Sequence, residues 1–204
     1  RKNDGSTFDV KKKKKNNTIT VPIGGDHFIL NSLAAISIGS LFEISPEKIK
    51  KGIQEFELTK RRMEMLPLSN DILVINDSYN ASFDSVKPAI AYLAHAEGKR
   101  KIAVLGDMLE LGDYAKELHE KVGEEVAKNK IDILIAVGDL SKYIMKKAEE
   151  LGMPKENITH CIDAEEAAIK LEKILAKGDR VLLKASNAMK FNIIVEKLSE
   201  NLKK

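Results

Sequence analysis

The sequence predicts an α/β protein whose main domain has a parallel sheet covered by helices on both faces. Short apolar runs of the length of buried strands alternate with longer amphipathic segments of helical period. Glycines stand where several of these helices should end. Continuous apolar strands separated by amphipathic helices are typical of a parallel sheet between two helical layers.

This alternation begins after the basic segment at residues 60–62. Strands are predicted at residues 72–75, 102–105, 133–137, 158–162 and 180–184. Helices are predicted at residues 85–96, 114–129, 140–151, 164–176 and 191–202. Gly98, Gly152 and Gly178 fall at predicted helix C-termini, which supports the segmentation.

The residues before this segment show a different pattern. Two β-leaning segments at residues 8–15 and 18–23 are separated by Asn16-Asn17, where a turn is expected. Two helices follow, and Ser45-Pro46-Glu47 supplies a hydroxyl cap, a proline at the first helical position and an acid in the first turn. The change of pattern predicts a domain boundary near residues 57–61.

Composition and charge limit the function classes. Hydrophobic content of 43% and charged content of 32% are ordinary for a globular protein, and no apolar stretch is long enough for a membrane helix. The single Cys161 excludes an intrachain disulfide, fits a reducing cytosol and is expected to be a buried, inert thiol. The lysine run at residues 11–15 could bind nucleic acid. We favour a solvated hairpin, because no aromatic residues interleave the lysines.

Hydrogen-bonding side chains follow two of the predicted strands directly. The strand at residues 72–75 is followed by a carboxylate, a hydroxyl, a phenol and an amide, and the strand at residues 102–105 leads into a loop with two acids. Open α/β sheets bind ligands outside the carboxyl ends of their strands. These two loops are therefore the first candidates for a functional site.

The two loops resemble motifs of the Mur ligases of bacterial cell-wall synthesis. Residues 76–85 are NDSYNASFDS where the family pattern is approximately DDSYNANPDS, and residues 106–112 are GDMLELG, which matches in full. The resemblance covers about residues 19–198. It implies a Rossmann-like C-terminal domain at residues 59–204, preceded at residues 1–58 by the tail of the family's central ATPase domain.

Within the family, this motif pair resembles the ligases that add D-Ala-D-Ala to UDP-MurNAc-tripeptide. The resemblance implies that ATP phosphorylates the tripeptide carboxylate and that the dipeptide amine attacks the resulting acyl phosphate. It implies a cytoplasmic monomer that acts on these two substrates, with no nucleic-acid or membrane partner. ATP and Mg²⁺ are the implied cofactors, and no residue of this chain is assigned a catalytic role.

Three further segments are similar to family motifs. Residues 25–31 (GDHFILN) resemble the adenine-binding G-x-H-N-x-x-N, which assigns His27 and Asn31 to the base of ATP. Residues 60–64 (KRRME) resemble G-R-x-E, whose arginine reaches the nucleotide, and Arg62 matches it. From residue patterns alone, a histidine at a helix start is more often a capping residue, and a basic segment between domains is as often a solvated linker.

The resemblance also assigns residues at the ends of the strands. Asp77 matches the residue that binds the ATP ribose, and Tyr79 is expected near the phosphates. Asn80 and Asp107 are expected to contact the substrate, with the GDMLELG loop forming a wall of the cleft. His119 matches a family histidine, but its place within an amphipathic helix favours a structural role.

Residues 184–190 (KASNAMK) resemble K-G-S-R-x-M after the last strand. Lys184 and Ser186 match and are expected to contact substrate. Ala185 replaces a glycine, which limits how closely a ligand can approach the backbone. Asn187 replaces an arginine, which removes a permanent cation that could hold a carboxylate.

No G-x-x-x-x-G-K-[ST] phosphate loop occurs in the sequence. The family carries that loop, its magnesium ligands and a carbamylated lysine in a part of the central domain that does not match these residues. The chain is therefore expected to be a fragment that is inactive alone. The alternatives are another Mur ligase, a folylpolyglutamate synthase relative, or a non-catalytic Rossmann-like binding module.

Overall fold

The computed structural model describes residues 5–12, 15–22, 26–57 and 59–202, and it divides the chain into two compact units. The first unit is Arg1–Thr59 and the second is Lys60–Lys204. The first contains strands β1 (Ser6–Lys12) and β2 (Lys15–Val21) and helices α1 (Asp26–Leu41) and α2 (Pro46–Gln54). The side chains of Lys12, Lys15, Asn16, Asp26, His27 and Leu202 also lie outside the described part.

The hairpin of the first unit differs from the sequence expectation in its register. Strands β1 and β2 are antiparallel and pair Lys12 with Lys15, and Asn16-Asn17 lies inside β2. The expected turn at Asn16-Asn17 was wrong because apolar pairing outweighs the turn preference of asparagine. The observed register places Phe8 opposite Ile19, which is buried. A turn at Asn16-Asn17 would separate these two residues.

Helix α2 begins as the sequence predicts. The hydroxyl of Ser45 accepts a hydrogen bond from the backbone N–H of Lys48, and Pro46 is the first helical residue. Helix α1 leaves large apolar side chains exposed to solvent, since Leu30 is 66% exposed and Leu41 is 81% exposed. A helix that exposes so much apolar surface has a face available for another structural element.

The second unit is built on one six-stranded sheet with the order β3-β4-β8-β5-β6-β7. Only β3 is antiparallel to its neighbour, and the other neighbouring strands are parallel. The strands are β3 (Glu64–Pro67), β4 (Leu73–Asn76), β5 (Lys101–Gly106), β6 (Ile133–Val137), β7 (Ile158–Cys161) and β8 (Arg180–Lys184). The predicted α/β fold with a mostly parallel sheet is therefore confirmed.

Five helices cover the two faces of this sheet. Helices α3, α4 and α5 contribute to one buried apolar cluster, and α6 and α7 contribute to the other. Along β5, Ile102 and Val104 belong to one cluster while Ala103 and Leu105 belong to the other, as expected for a strand buried on both faces. The helices are α3 (Phe83–His95), α4 (Ala115–Lys128), α5 (Ser141–Glu150), α6 (Ala164–Ile174) and α7 (Asn192–Leu202).

Strand β3 was not predicted from the sequence. It is only four residues long, it ends in Pro67, and it pairs with β4 at the edge of the sheet. Proline is tolerated on an edge strand because the lost N–H would face away from the ladder. A short segment with a proline carries too weak a pattern to be separated from a loop.

Cys161 lies at the end of β7 and is completely buried. Burial raises the pKa of its thiol to about 11, so the thiolate is scarce at neutral pH. This agrees with the inert thiol expected from the sequence.

Candidate functional site at the carboxyl ends of three strands

The order of the strands brings the sequence motifs together. Strand β8 lies between β4 and β5, so the three carboxyl ends that carry the motifs are neighbours at one edge of the sheet. Asp77 follows β4, Lys184 ends β8 and Asp107 follows β5. The last strand in the chain thus inserts its motif between the two motifs that come earlier.

Asp77 and Lys184 form a buried ion pair at the centre of this edge. The Nζ of Lys184 lies 2.6 Å from the Oδ2 of Asp77, and the two side chains are 2% and 15% exposed, respectively. The other carboxylate oxygen of Asp77 accepts a hydrogen bond from the backbone N–H of Met63 at 3.1 Å. The same ammonium donates to the backbone carbonyl of Asn80 at 3.1 Å. Lys184 therefore fixes the loop that contains Asp77 and Asn80.

The electrostatics of Lys184 reflect this position. Burial lowers the pKa of Lys184 below its ordinary value, Asp77 opposes that shift, and the charge of Arg62 adds to it. The Asp77 carboxylate offsets part of the cost of burying the ammonium. The two residues should therefore be understood as one unit, in which removing either leaves the other with a buried charge.

Two guanidinium groups lie beside Tyr79 at the same edge. The guanidinium carbon of Arg62 lies 4.2 Å from the centre of the Tyr79 ring, and that of Arg61 lies 5.6 Å from it. The Nη1 of Arg61 donates to the Oδ1 of Asn187 at 2.9 Å. Among the described residues, no carboxylate forms an ion pair with either arginine. This part of the site therefore carries two guanidinium charges that no described carboxylate pairs with.

A second polar network supports the loop after β4 from the side of β3. The carboxylate of Glu64 accepts hydrogen bonds from the backbone N–H of Arg61 and from the side-chain amide of Asn76. The amide oxygen of Asn76 in turn accepts from the hydroxyl of Ser78 at 2.7 Å. Both Asn76 and Ser78 are buried. These bonds fix the segment that carries the two arginines against strand β4, which precedes Asp77.

The GDMLELG loop after β5 is held by hydrogen bonds within the domain. The carboxylate of Asp107 is buried and accepts from the backbone N–H of Ser141 at the start of α5. Its position requires a glycine at residue 138, since a Cβ there would lie 2.6 Å from the carboxylate and Gly138 has φ of +100°. The hydroxyl of Ser186 is also buried and accepts from the backbone N–H of Leu109 at 2.9 Å.

His119 supports the same loop from helix α4. It is completely buried; its Nε2 accepts a hydrogen bond from the backbone N–H of Met108 at 3.0 Å, while its Nδ1 donates to the carbonyl of Ala115 at 2.6 Å. These partners require the neutral ring, with its proton on Nδ1. Burial lowers the pKa of His119 below its ordinary value. The structural role expected from the sequence is what the structure shows.

This arrangement makes stability depend on pH below neutrality. Because the folded state resists protonation of His119 and the unfolded state does not, the free energy of unfolding should fall as pH drops below about 6.5. His119→Leu should lower the free energy of unfolding by about 1–3 kcal/mol at pH 7.5, since the N–H of Met108 loses its acceptor, and should flatten this dependence. Urea unfolding between pH 5 and 8 measures both effects. His95→Leu, at an exposed position, is the control. A His119→Leu variant that unfolds like the wild-type protein would contradict the structural role of His119.

The predicted site residues fall into three groups in the structure. Arg62, Asp77, Tyr79, Asn80 and Lys184 come together, whereas Asp107 and Ser186 lie in the adjoining loops with their side chains bonded to backbone. His27 and Asn31 belong to the other unit; Asn31 is exposed, and the side chain of His27 lies outside the described part. The sequence reasoning did not assign a role to Arg61 or to Asn76. The sequence feature that could have indicated a role for Arg61 is its position next to Arg62.

The described part of the chain contains no group of three or more His, Cys, Asp or Glu side chains that could hold a metal ion. None of its helices has both the length and the apolar character needed to cross a bilayer.

The mostly parallel sheet with helices on both faces defines a Rossmann-like α/β domain, a class that binds ligands at the carboxyl ends of its strands. Comparison with protein families narrows this class: residues 61–187 match the model described as "Mur ligase, glutamate ligase domain". The chain belongs to the Mur ligase family. The resemblance inferred from the motifs is confirmed by this match, which covers more than half of the chain.

The relatives point to one branch of the family. The chain is 36% identical over 199 residues to the UDP-N-acetylmuramoyl-tripeptide–D-alanyl-D-alanine ligase of Bacillus subtilis. The matched region covers 97% of this chain and 43% of the relative. The chain is 28% identical to the ligase of the same name from Escherichia coli, over 97% of this chain and 42% of the relative. The chain therefore spans less than half the length of the curated relatives that it matches.

Solved structures share the fold. A crystal structure of MurF from Acinetobacter baumannii superimposes with a TM-score of 0.81 at 23% identity, over 97% of this chain and 43% of that one. The MurF ligase of Thermotoga maritima, crystallised in complex with ADP, superimposes with a TM-score of 0.71 at 23% identity, over 97% of this chain and 44% of that one.

Proposed function

We propose that this chain is the C-terminal part of an ATP-dependent ligase that joins D-Ala-D-Ala to UDP-MurNAc-tripeptide. The observation that carries the proposal is the convergence of Asp77, Lys184 and Arg62 at the carboxyl ends of neighbouring strands, in a chain whose curated relatives have this activity in their names. In this proposal residues 1–58 belong to the family's central ATPase domain and residues 59–204 form its C-terminal domain. The exposed apolar face of α1 is consistent with a domain that continues beyond these residues.

The residues present fit the nucleoside part of ATP. The Asp77 carboxylate accepts two hydrogen bonds in this structure, and a carboxylate has about four acceptor positions, so it can still accept from ribose hydroxyls. Arg62 has no acidic partner among the described residues and lies against Tyr79, where its fixed donors suit phosphate oxygens. His27 and Asn31 are proposed to contact the adenine. When bound, ATP supplies the phosphoryl group that activates a carboxylate.

The phosphate loop and the Mg²⁺ ligands are proposed to lie outside these residues. The sequence contains no phosphate-loop motif, and no acidic cluster suited to a metal occurs in the part that the structure describes. The contribution of this chain is then to position the nucleotide and the incoming dipeptide rather than to hold the triphosphate. The proposed location is the cytosol, which the single buried cysteine supports.

Substrate contacts divide between direct and indirect roles. Asn80 and Ser186 are proposed to face the dipeptide, with Ser186 held by the backbone of Leu109. Lys184 and Asp107 are proposed to act mainly by position, because Lys184 fixes the Asp77 loop and Asp107 caps the start of α5. Both side chains are buried.

The proposal is tested by identifying the product. The full-length protein that contains this chain should convert UDP-MurNAc-tripeptide, ATP and D-Ala-D-Ala to UDP-MurNAc-pentapeptide, detected by mass spectrometry. L-Ala-L-Ala is the control dipeptide and should give much less product, and the 204-residue chain alone should give none. A full-length protein that makes no pentapeptide, or a chain that makes it alone, would contradict the proposal.

A further inference from the structure

We infer that Arg61 binds the C-terminal carboxylate of the acceptor dipeptide and so replaces, from another segment, the cation that position 187 lacks. This inference rests on the proposed function, since it names the group that recognises one of the proposed substrates. It assigns a specificity-determining role to a residue for which the motif comparison gave none.

The first observation is the contact between Arg61 and Asn187. The Nη1 of Arg61 donates to the Oδ1 of Asn187 at 2.9 Å, although the two residues are 126 positions apart in the chain. A guanidinium has five N–H donors, and this bond fixes the group while leaving donors for a ligand. In the family pattern this position after the serine carries an arginine. Here a guanidinium from the segment before β3 contacts the residue at this position.

The second observation is the backbone of Arg61. Its φ is +65°, in the left-handed region that side chains other than glycine seldom adopt. The family pattern G-R-x-E has a glycine at this position, which suits that backbone. This chain thus differs from the pattern at two positions that touch, with arginine for glycine at 61 and asparagine for arginine at 187.

The third observation is the chemistry that the pair presents. Asn187 is exposed, and its oxygen is bound to Arg61, so the amide is oriented with its NH₂ group as a donor. Arg61 forms no ion pair with a described carboxylate. A fixed guanidinium with an amide donor beside it matches a carboxylate, which accepts paired hydrogen bonds from such a fork.

The dipeptide carboxylate fits this place better than a nucleotide phosphate. Arg61 turns toward Asn187, which follows Ser186 directly, whereas Arg62 stacks more closely on Tyr79 at 4.2 Å. The two neighbouring arginines thus have different contacts, with Asn187 for Arg61 and more closely with Tyr79 for Arg62. Arg62 remains the proposed partner of the nucleotide, and Arg61 is the partner of the amine substrate.

The test combines a change in the protein with a change in the ligand. In the full-length protein, KM is measured for D-Ala-D-Ala and for the same dipeptide with a C-terminal amide. Arg61→Gly should raise KM for D-Ala-D-Ala about tenfold to a hundredfold, the usual worth of a charged hydrogen bond, and leave KM for the amide nearly unchanged. Arg61→Gly with Asn187→Arg should restore the preference for the carboxylate.

If Arg61 had only a structural role, its replacement would lower Tm instead of weakening dipeptide binding. Glycine suits a φ of +65°, so Arg61→Gly should keep or raise Tm while it weakens dipeptide binding. Arg61→Lys keeps the charge, loses the planar fork and should give an intermediate KM. The inference is overturned if Arg61→Gly still prefers the carboxylate as strongly as the wild-type protein does, or if it changes KM for ATP instead. Absence of dipeptide-dependent turnover in the wild-type protein would reject the proposed function itself, and this inference with it.

Discussion

Lys184→Met is expected to lower the free energy of unfolding by about 3–5 kcal/mol, the largest stability effect that we predict for this chain. The substitution removes the ammonium that pairs with Asp77 at 2.6 Å and leaves that carboxylate nearly buried without a cation. It also removes the bond to the carbonyl of Asn80, which fixes the loop after β4. Urea denaturation of the 204-residue chain measures the effect.

Two controls separate the loss of the pair from the loss of a lysine. Lys142→Met removes an exposed lysine whose partner is also exposed, and it should change stability by less than about 1 kcal/mol. Asp77→Asn with Lys184→Met removes both charges and should recover most of the loss, because no buried charge remains. If the single and double variants were equally destabilised, the ion pair would not be the cause.

Asp77→Asn is expected to weaken ADP binding by the full-length protein about tenfold to a hundredfold, which corresponds to the loss of charged hydrogen bonds. An asparagine retains one acceptor oxygen at this position but loses the charge. Isothermal titration calorimetry measures the dissociation constant. Asp113→Asn is the matched control, since Asp113 is an exposed carboxylate outside the site and should not affect binding.

The double variant that lacks both charges distinguishes a binding defect from a folding defect. Asp77→Asn with Lys184→Met should be folded, as its Tm will show, and should still bind ADP weakly. ADP binding equal to that of the wild-type protein in this double variant would contradict a nucleotide-binding role for Asp77.

Much of the fold could be predicted because the buried strands are short, continuous apolar runs. In the second unit, strands β6 and β8 begin and end where the pattern predicts, and β4, β5 and β7 are displaced by no more than one residue at either end. Gly152 and Gly178 have the left-handed φ expected near helix ends. Gly98 does not, and there a Cβ would collide with the side chain of Arg180. Local chemistry was therefore enough to predict these strands and the glycines at residues 152 and 178.

The site could be predicted only in part because its contacts are long-range. The pairing of Asp77 with Lys184 depends on β8 lying between β4 and β5, and nothing in the local pattern sets that order. Lys184 matches the family motif after the last strand and was therefore expected to contact substrate, whereas in the structure it is a buried partner of Asp77. The contact of Arg61 with Asn187 was missed for the same reason.

Dipeptide-dependent ADP release tests the central claim most directly. We would measure it in the full-length protein with ATP and UDP-MurNAc-tripeptide, with and without D-Ala-D-Ala, beside the folded Asp77→Asn and Lys184→Met double variant. We predict ADP release that requires the dipeptide and is lost in the variant. Release that is indifferent to the dipeptide, or that persists in the variant, would contradict the assignment of this edge of the sheet as part of a ligase site.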